Sequence, residues 1–283
     1  MGTRRSPTAR QVRLGTELRK LREAAGLKAT EAATLLGVNS TQMSQMESGV
    51  AGVSEERVRR LAANYACADK ELIDALVAMT TDRTRGWWEE YRGILPAAYL
   101  DLAELDHCAR YRRDVAVIHL PGLLQTEAYA RALFSYMNPE FPESELEHRV
   151  RHRMKRKVVI EGPDPIPYET VIHEAALRIR VAGRLAFREQ LDRVLELSEA
   201  DHVTVRVVPL GLNDFGGAGS AMVYLGGSVT QLDTVVRDAP HGTAFIDSEA
   251  QLEHFRKLFR RVREASLDPQ RSRDLIHQLA KEP

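Results

Sequence analysis

LLGVNSTQMSQMESG, residues 35–49, reads as the end of one helix, a tight turn at Gly37 and a second short helix. Val38, Met43 and Met46 fall at core spacing, which leaves Asn39, Ser40, Thr41, Gln42, Ser44 and Gln45 at the start and on the exposed face of the second helix. A helix presented in this way fits the DNA major groove. The stretch holds no lysine or arginine, however, and its single charge is Glu47. Neutral groups can still read bases: Gln and Asn bond adenine bidentately, and Ser and Thr reach either kind of base. Phosphate neutralisation supplies much of the affinity for DNA, so that charge has to come from elsewhere in the chain.

Outward from this stretch, residues 12–79 keep a helical pattern, broken at Gly26, Gly37 and 49–53, which predicts five helices. In the first, Leu14, Leu18, Leu21 and Ala25 form an apolar face with Arg13, Arg19, Lys20 and Arg22 around it. Thr30, Ser54 and Asp69 are the expected N-caps of later helices. Residues 1–22 carry seven Lys or Arg against one acid, Glu17. This basic arm, with Arg4, Arg5 and Arg10 on phosphates or in a minor groove and Lys28 beside the turn, is the expected source of the missing charge.

The chain has 283 residues, enough for roughly two domains. Its 40 basic and 40 acidic residues cancel, so only local clustering can favour a polyanion. Two cysteines, Cys67 and Cys108, are too few for a disulfide framework and are expected to be buried thiols in a reducing cytosol. No apolar run approaches a membrane span, and the arginine-rich start leads into no signal-peptide core, which predicts a cytoplasmic protein with no membrane partner.

Past residue 80 the texture changes. Residues 80–102 bring both tryptophans and two tyrosines together, a packed connector rather than a loose linker. Strands are then expected in RDVAVIHL (113–120), YETVIHEAALRI (168–179), VTVRVVPL (203–210), SAMVYLG (220–226) and VTQLDTVV (229–236). Helices are expected in residues 126–137, 144–160, 184–200, 248–267 and 268–282. The predicted fold class is α+β: an all-α five-helix domain over 1–80, an aromatic-rich connector over 81–110 and a larger mixed α+β domain over 111–283.

Residues 18–49, with small Ala33 where two helices cross, Gly37 in the turn and the ESG ending, resemble the DNA-binding helix-turn-helix of the phage-repressor and Cro-like (XRE) regulators. The resemblance implies a structural ion pair between Arg22 and Glu47, tying the first helix to the recognition helix. The chain departs from the family at Ala29, where glutamine is frequent, and in VAGVS after the ESG turn, where basic or polar residues are frequent. GWWEEYRGILP (86–96), LPGLLQT (120–126), VIHEAALRI (171–179) and VTVRVVPL resemble the C-terminal domain of unknown function found in antitoxin-like regulators of filamentous soil bacteria. Together the resemblances imply a DNA-binding transcription regulator. Its partners would be double-stranded DNA and a second copy of the chain, with a small partner protein or a small-molecule effector as further candidates.

Other features of the larger part each have two readings. Trp87, Trp88, Tyr91 and Tyr99 are either a candidate effector pocket or a packed hinge, the hinge being the stronger. LPGLLQT reads as a fold-defining corner with Thr126 as a cap, ahead of a binding site. His148 and His152 have a metal-pair spacing but no obvious third ligand, so no metal is expected. RHRMKRK (151–157) reads as a solvated basic face or an extension of the DNA footprint. DFGGAGS (214–220) lacks the ending of a phosphate loop and reads as a hairpin turn. No nucleophilic constellation is visible, so neither enzymatic activity nor a cofactor is expected.

Overall fold

A computed structural model describes residues 7–81, 86–212, 215–217, 219–239 and 242–282. The chain divides into two compact units, Met1–Glu89 with Ser228–Leu232, and Glu90–Gly227 with Asp233–Pro283.

The first unit contains α1 (Ala9–Ala24), α2 (Ala29–Leu36), α3 (Ser40–Glu47), α4 (Glu55–Asn64) and α5 (Lys70–Thr81). Leu14, Leu18, Ala33, Leu36, Met43, Met46, Val58 and Leu61 share one core, against which Val229 and Leu232 also pack. Each fully buried side chain of this size contributes about 1.5–3 kcal/mol. Gly37 ends α2 with φ +77, a left-handed conformation that glycine adopts without steric cost. Ser54 and Asp69 cap α4 and α5 by accepting from Arg57 N and Leu72 N at 3.4 and 3.0 Å.

Three expectations for this unit are corrected. Lys28, not Thr30, is the N-cap of α2, because Glu31 at the third helical position folds back to accept from Lys28 N at 2.6 Å. Ala25 lies past the end of α1 and is exposed. Arg13 and Arg22 lie inside the unit rather than around it, at 4% and 7% exposure, because each has a carboxylate within it.

The second unit is built on a six-stranded mixed sheet in the order β3-β2-β1-β4-β5-β6. Its strands are β1 (Tyr111–Ala116), β2 (Tyr168–His173), β3 (Val203–Val208), β4 (Met222–Gly226), β5 (Thr234–Ala239) and β6 (Gly242–Ile246). β1, β2 and β3 run parallel; β4, β5 and β6 continue the sheet antiparallel from β1. The helices are α6 (Ala97–Cys108), α7 (Glu127–Met137), α8 (Glu143–Lys155), α9 (Val158–Glu161), α10 (Glu174–Arg178), α11 (Gly183–Leu197), α12 (Glu249–Glu264) and α13 (Pro269–Lys281). Helices cover both faces, so the central strands are largely buried on both sides. Ile172, Val205 and Val207 pack on Tyr129, Leu191 and Ile276. Val171, Val208 and Val235 pack on Leu252, Phe255 and Phe259 of α12.

Here too several expectations give way. YETVIHEAALRI is strand only to His173, whose Nδ1 accepts from Ala175 N and caps α10. The first half of VTQLDTVV is a 3-10 turn at Thr230–Leu232, and the strand begins at Thr234. Residues 144–160 form two helices rather than one, and β6 has no counterpart among the predicted strands. DFGGAGS does not close a hairpin: β3 and β4 are separated by β2 and β1, and Asp214 and Ala218 lie outside the described residues. Both cysteines are half-buried rather than buried.

RHRMKRK is a solvated face only at Arg151 and Lys155. His152 and Arg156 are buried at 1% and 6% exposure. Arg156 joins an interior ion network in which Asp106 Oδ2 accepts from its Nε at 2.8 Å. Arg112, also buried, bonds Asp106 at 2.5 Å and Asp114 at 2.9 and 2.8 Å, and Tyr168 OH donates to Asp114 at 3.0 Å. Two guanidinium groups thus meet two carboxylates, and α6, α8, β1 and β2 are joined through groups too costly to bury singly. The LPGLLQT stretch is a stapled corner. Gln125 Nε2 donates to Leu120 O and its Oε1 accepts from Arg153, while Gln190 bonds Thr126 N and Leu124 O. Thr126 caps α7.

Candidate nucleic-acid interface

α2, the turn at Gly37 and α3 present an exposed, uncharged face. Asn39, Ser40, Thr41, Gln42 and Ser44 are exposed and Gln45 is half-buried. Two of the six are already engaged in holding the helix start. Asn39 Oδ1 accepts from Gln42 N at 2.8 Å, and Gln42 Oε1 accepts from Asn39 N at 3.2 Å, a reciprocal capping box. The N-x-x-Q spacing was visible in the sequence and its capping role was missed there. Ser40, Thr41, Ser44 and Gln45 are the groups left to reach a ligand.

α3 is held from behind by α1. Arg22 Nε and Nη2 reach the Glu47 carboxylate at 2.6 and 3.0 Å, with both side chains 8% exposed. Arg22 Nη1 also donates to Leu27 O at 2.7 Å. The hydrogen bond that Arg22 donates to Glu47, opposed by burial, raises the Arg22 pKa. Burial and then the charge of Glu47 push the nearby Tyr65 phenol up to about 12. The charge of Glu47 is therefore directed inward.

Two glycines permit the close approach. A Cβ on Gly15 would lie 2.6–2.7 Å from backbone atoms of Met46 and Glu47, and one on Gly49 would lie 2.7 Å from the backbone of Gln11 and Val12. Gly49 also has φ +74. Gly15 interrupts no helical pattern, so nothing in the local sequence marks it.

The expected basic residues are distributed differently from the predicted arm. Arg4 and Arg5 lie outside the described residues. Arg10 is half-buried within α1, which starts just after the cap formed by Thr8 and Gln11. Lys28 is exposed, as are Arg57 and Arg60 of α4, which sequence reasoning did not single out. Arg60 Nη2 donates to Leu35 O at 3.0 Å, near the end of α2.

The four aromatic residues make ring contacts within each unit. Trp87 and Trp88 meet edge to face, and Tyr91 and Tyr99 each meet the His152 ring edge-on at 5.0 and 5.5 Å. His152 is thus a histidine packed among aromatic rings. An open groove of about 640 Å³ lies elsewhere, between Gly216, Gly217 and Arg237 on one side and His254, Phe255 and Leu258 on the other.

A family model for a domain of unknown function, DUF5753, matches residues 99–278. The chain belongs to the DUF5753 family. A helix-turn-helix domain model matches residues 13–76 of this DUF5753 protein, from within α1 through α4 and into α5. That domain suggests DNA binding and is typically a non-enzymatic fold. No curated protein and no solved structure matches the DUF5753 chain. Among its described residues no helix is long and apolar enough to cross a membrane.

Proposed function

We propose that this DUF5753 protein is a sequence-specific, XRE-type transcription regulator. It binds double-stranded DNA in the cytoplasm as a homodimer, and its C-terminal domain receives a signal or a partner. The observation that carries the reading is an exposed, neutral α3 whose only charge is held by Arg22. Ser40, Thr41, Ser44 and Gln45 read base edges; Lys28 and the residues before Thr8 neutralise phosphates, since phosphate contacts position while base contacts specify. The test is Gln45→Ala on duplexes selected by the wild-type chain from a random pool. Discrimination falls by about 1–3 kcal/mol at one or two base positions while random DNA is bound as before. An equal loss on selected and random DNA would refute the assignment.

A second reading, an antitoxin-like module whose first task is to hold a small partner protein, draws on the absence of any cation in α3. Copurification from the native host separates the two. A stoichiometric small protein, together with a wild-type chain that prefers no duplex over random DNA, favours the second. The groove beside α12 and the Tyr91–Tyr99 pair are the candidate places for a small-molecule effector in the first.

A further inference from the structure

Glu17 sits in the middle of α1 and is fully buried. Its Oε1 accepts from Arg13 Nη1 at 2.7 Å and from Lys20 Nζ at 2.6 Å. Its Oε2 accepts from Gln231 Nε2 at 2.7 Å, from a residue 214 positions along the chain. Arg13, itself 4% exposed, returns through Nη2 to the backbone carbonyl of Gln231. Leu232 N closes the short turn on Val229 O at 2.9 Å, and the side chains of Val229 and Leu232 pack on the core of the helical unit.

We infer that Gln231 is a positioning residue for α3, and that residues 228–232 are a working part of the DNA-binding unit rather than a connection of no consequence. α1 carries both the Gln231 contacts and the seat of α3. Arg13 and Glu17 receive Gln231; Gly15, between them, takes the backbone of Met46 and Glu47, and Arg22 takes the Glu47 carboxylate. A buried carboxylate that loses one of its donors bears a desolvation cost that water cannot relieve. A second carboxylate placed against it adds repulsion in a medium that screens poorly. The register of α1, and with it the seat of α3, therefore depends on what residue 231 offers to Glu17. The positioning itself is independent of the DNA-binding reading, and only its effect on DNA rests on it.

The experiment uses the full chain as wild type, Gln231→Glu, Gln231→Met and the exchanged pair Glu17→Gln with Gln231→Glu. Hydrogen exchange of the amides in α1 and α3 is read first, then preference for a selected duplex over random DNA. Gln231→Glu is expected to raise exchange in both helices about tenfold and to lower the preference by a similar factor. Gln231→Met, which removes only the bond to Glu17, gives a smaller shift in the same direction and serves if the glutamate variant fails to fold. The exchanged pair, which restores one amide facing one carboxylate, recovers most of both. Unchanged exchange in α1 and α3 for Gln231→Glu or Gln231→Met overturns the inference. So does faster exchange with unchanged preference, which would make Gln231 a merely structural residue. If exchange responds but the wild-type chain prefers no duplex at all, positioning stands and the DNA-binding reading fails.

Discussion

Glu47 carries the only charge in α3 and directs it at Arg22. Removing one partner of a buried pair leaves the other uncompensated, at a cost of about 3–5 kcal/mol. Glu47→Ala should therefore lower the urea midpoint of the full chain strongly and Glu47→Gln less, since the amide keeps an acceptor for one Arg22 donor. An unchanged midpoint for Glu47→Ala would show that the pair contributes nothing. His152 makes a second prediction. Burial first, then the charges of Arg156 and Arg153, lower its pKa to about 3. The folded chain holds this imidazole neutral while the unfolded chain protonates it below about 6.5, so stability is present above that value and is lost as the pH falls from there toward 3. The loss is about 1.4 kcal/mol per pH unit, or roughly 2 kcal/mol between pH 7 and 5. His152→Phe should remove that share of the acid sensitivity, seen as a smaller drop in urea midpoint between the two pH values; an identical drop would refute it. At this scale the sequence exposed the residue types but not their burial. The proximity of Arg22 to Glu47 was implied by the family resemblance, whereas the inward turn of His152 rests on Tyr91 and Tyr99 and that of Arg156 on Asp106, all distant in the chain.

Between elements, the packing of α1 on α3 sets how far α3 stands out from its unit. Helix propensity alone favours Gly15→Ala by about 1 kcal/mol. The backbone of Met46 and Glu47, 2.6–2.7 Å from where the Cβ would sit, reverses the sign, because overpacking against atoms that cannot rotate away costs about 1–3 kcal/mol or more. Gly15→Ala should thus lower thermal stability, whereas Gly52→Ala, with open space around its Cβ, should be nearly neutral. Equal melting temperatures for the two variants would contradict the steric argument. The helical elements were legible because their apolar period, their glycine stops and the Ser54 and Asp69 caps agree. The sheet was less so. Strands covered on both faces lose the alternation that distinguishes them, and HEAALRI, with a capping histidine and five strong helix formers, goes helical immediately after a strand. β6 is a short edge strand of small and mixed residues, GTAFI, with no periodic signal. LPGLLQT could be recognised as a corner, but the Gln190 that staples it lies 64 residues away and no local pattern points to it.

For the whole molecule, the balance of 40 basic against 40 acidic residues leaves no general attraction to a polyanion, so affinity for DNA has to be local. Because α1 starts at Ala9 behind the Thr8–Gln11 cap, a truncation testing the basic N-terminus should stop at residue 7. Removing residues 1–7 is expected to weaken binding to selected and random duplexes alike. It should also flatten the plot of log affinity against log salt by about 0.9 for each phosphate that is no longer neutralised. The preference for selected DNA should survive. An unchanged slope would mean that these residues neutralise no phosphate, and Lys28, Arg57, Arg60 or, in the proposed homodimer, a second copy of the chain would have to do so.

The presence of Ser228–Leu232 in the helical unit also bears on how the protein is made. Ribosomes add about 5–20 residues per second, and about 140 residues separate Glu89 from Ser228. For roughly 7–30 seconds of synthesis the nascent chain holds all five N-terminal helices but not the amide that meets Glu17. α3 is present throughout that interval without the contact inferred above to complete its seat. A chain released early by a premature stop before Gln231 would carry the same defect, so under the proposed function an unfinished protein would compete poorly with the finished one for the same DNA.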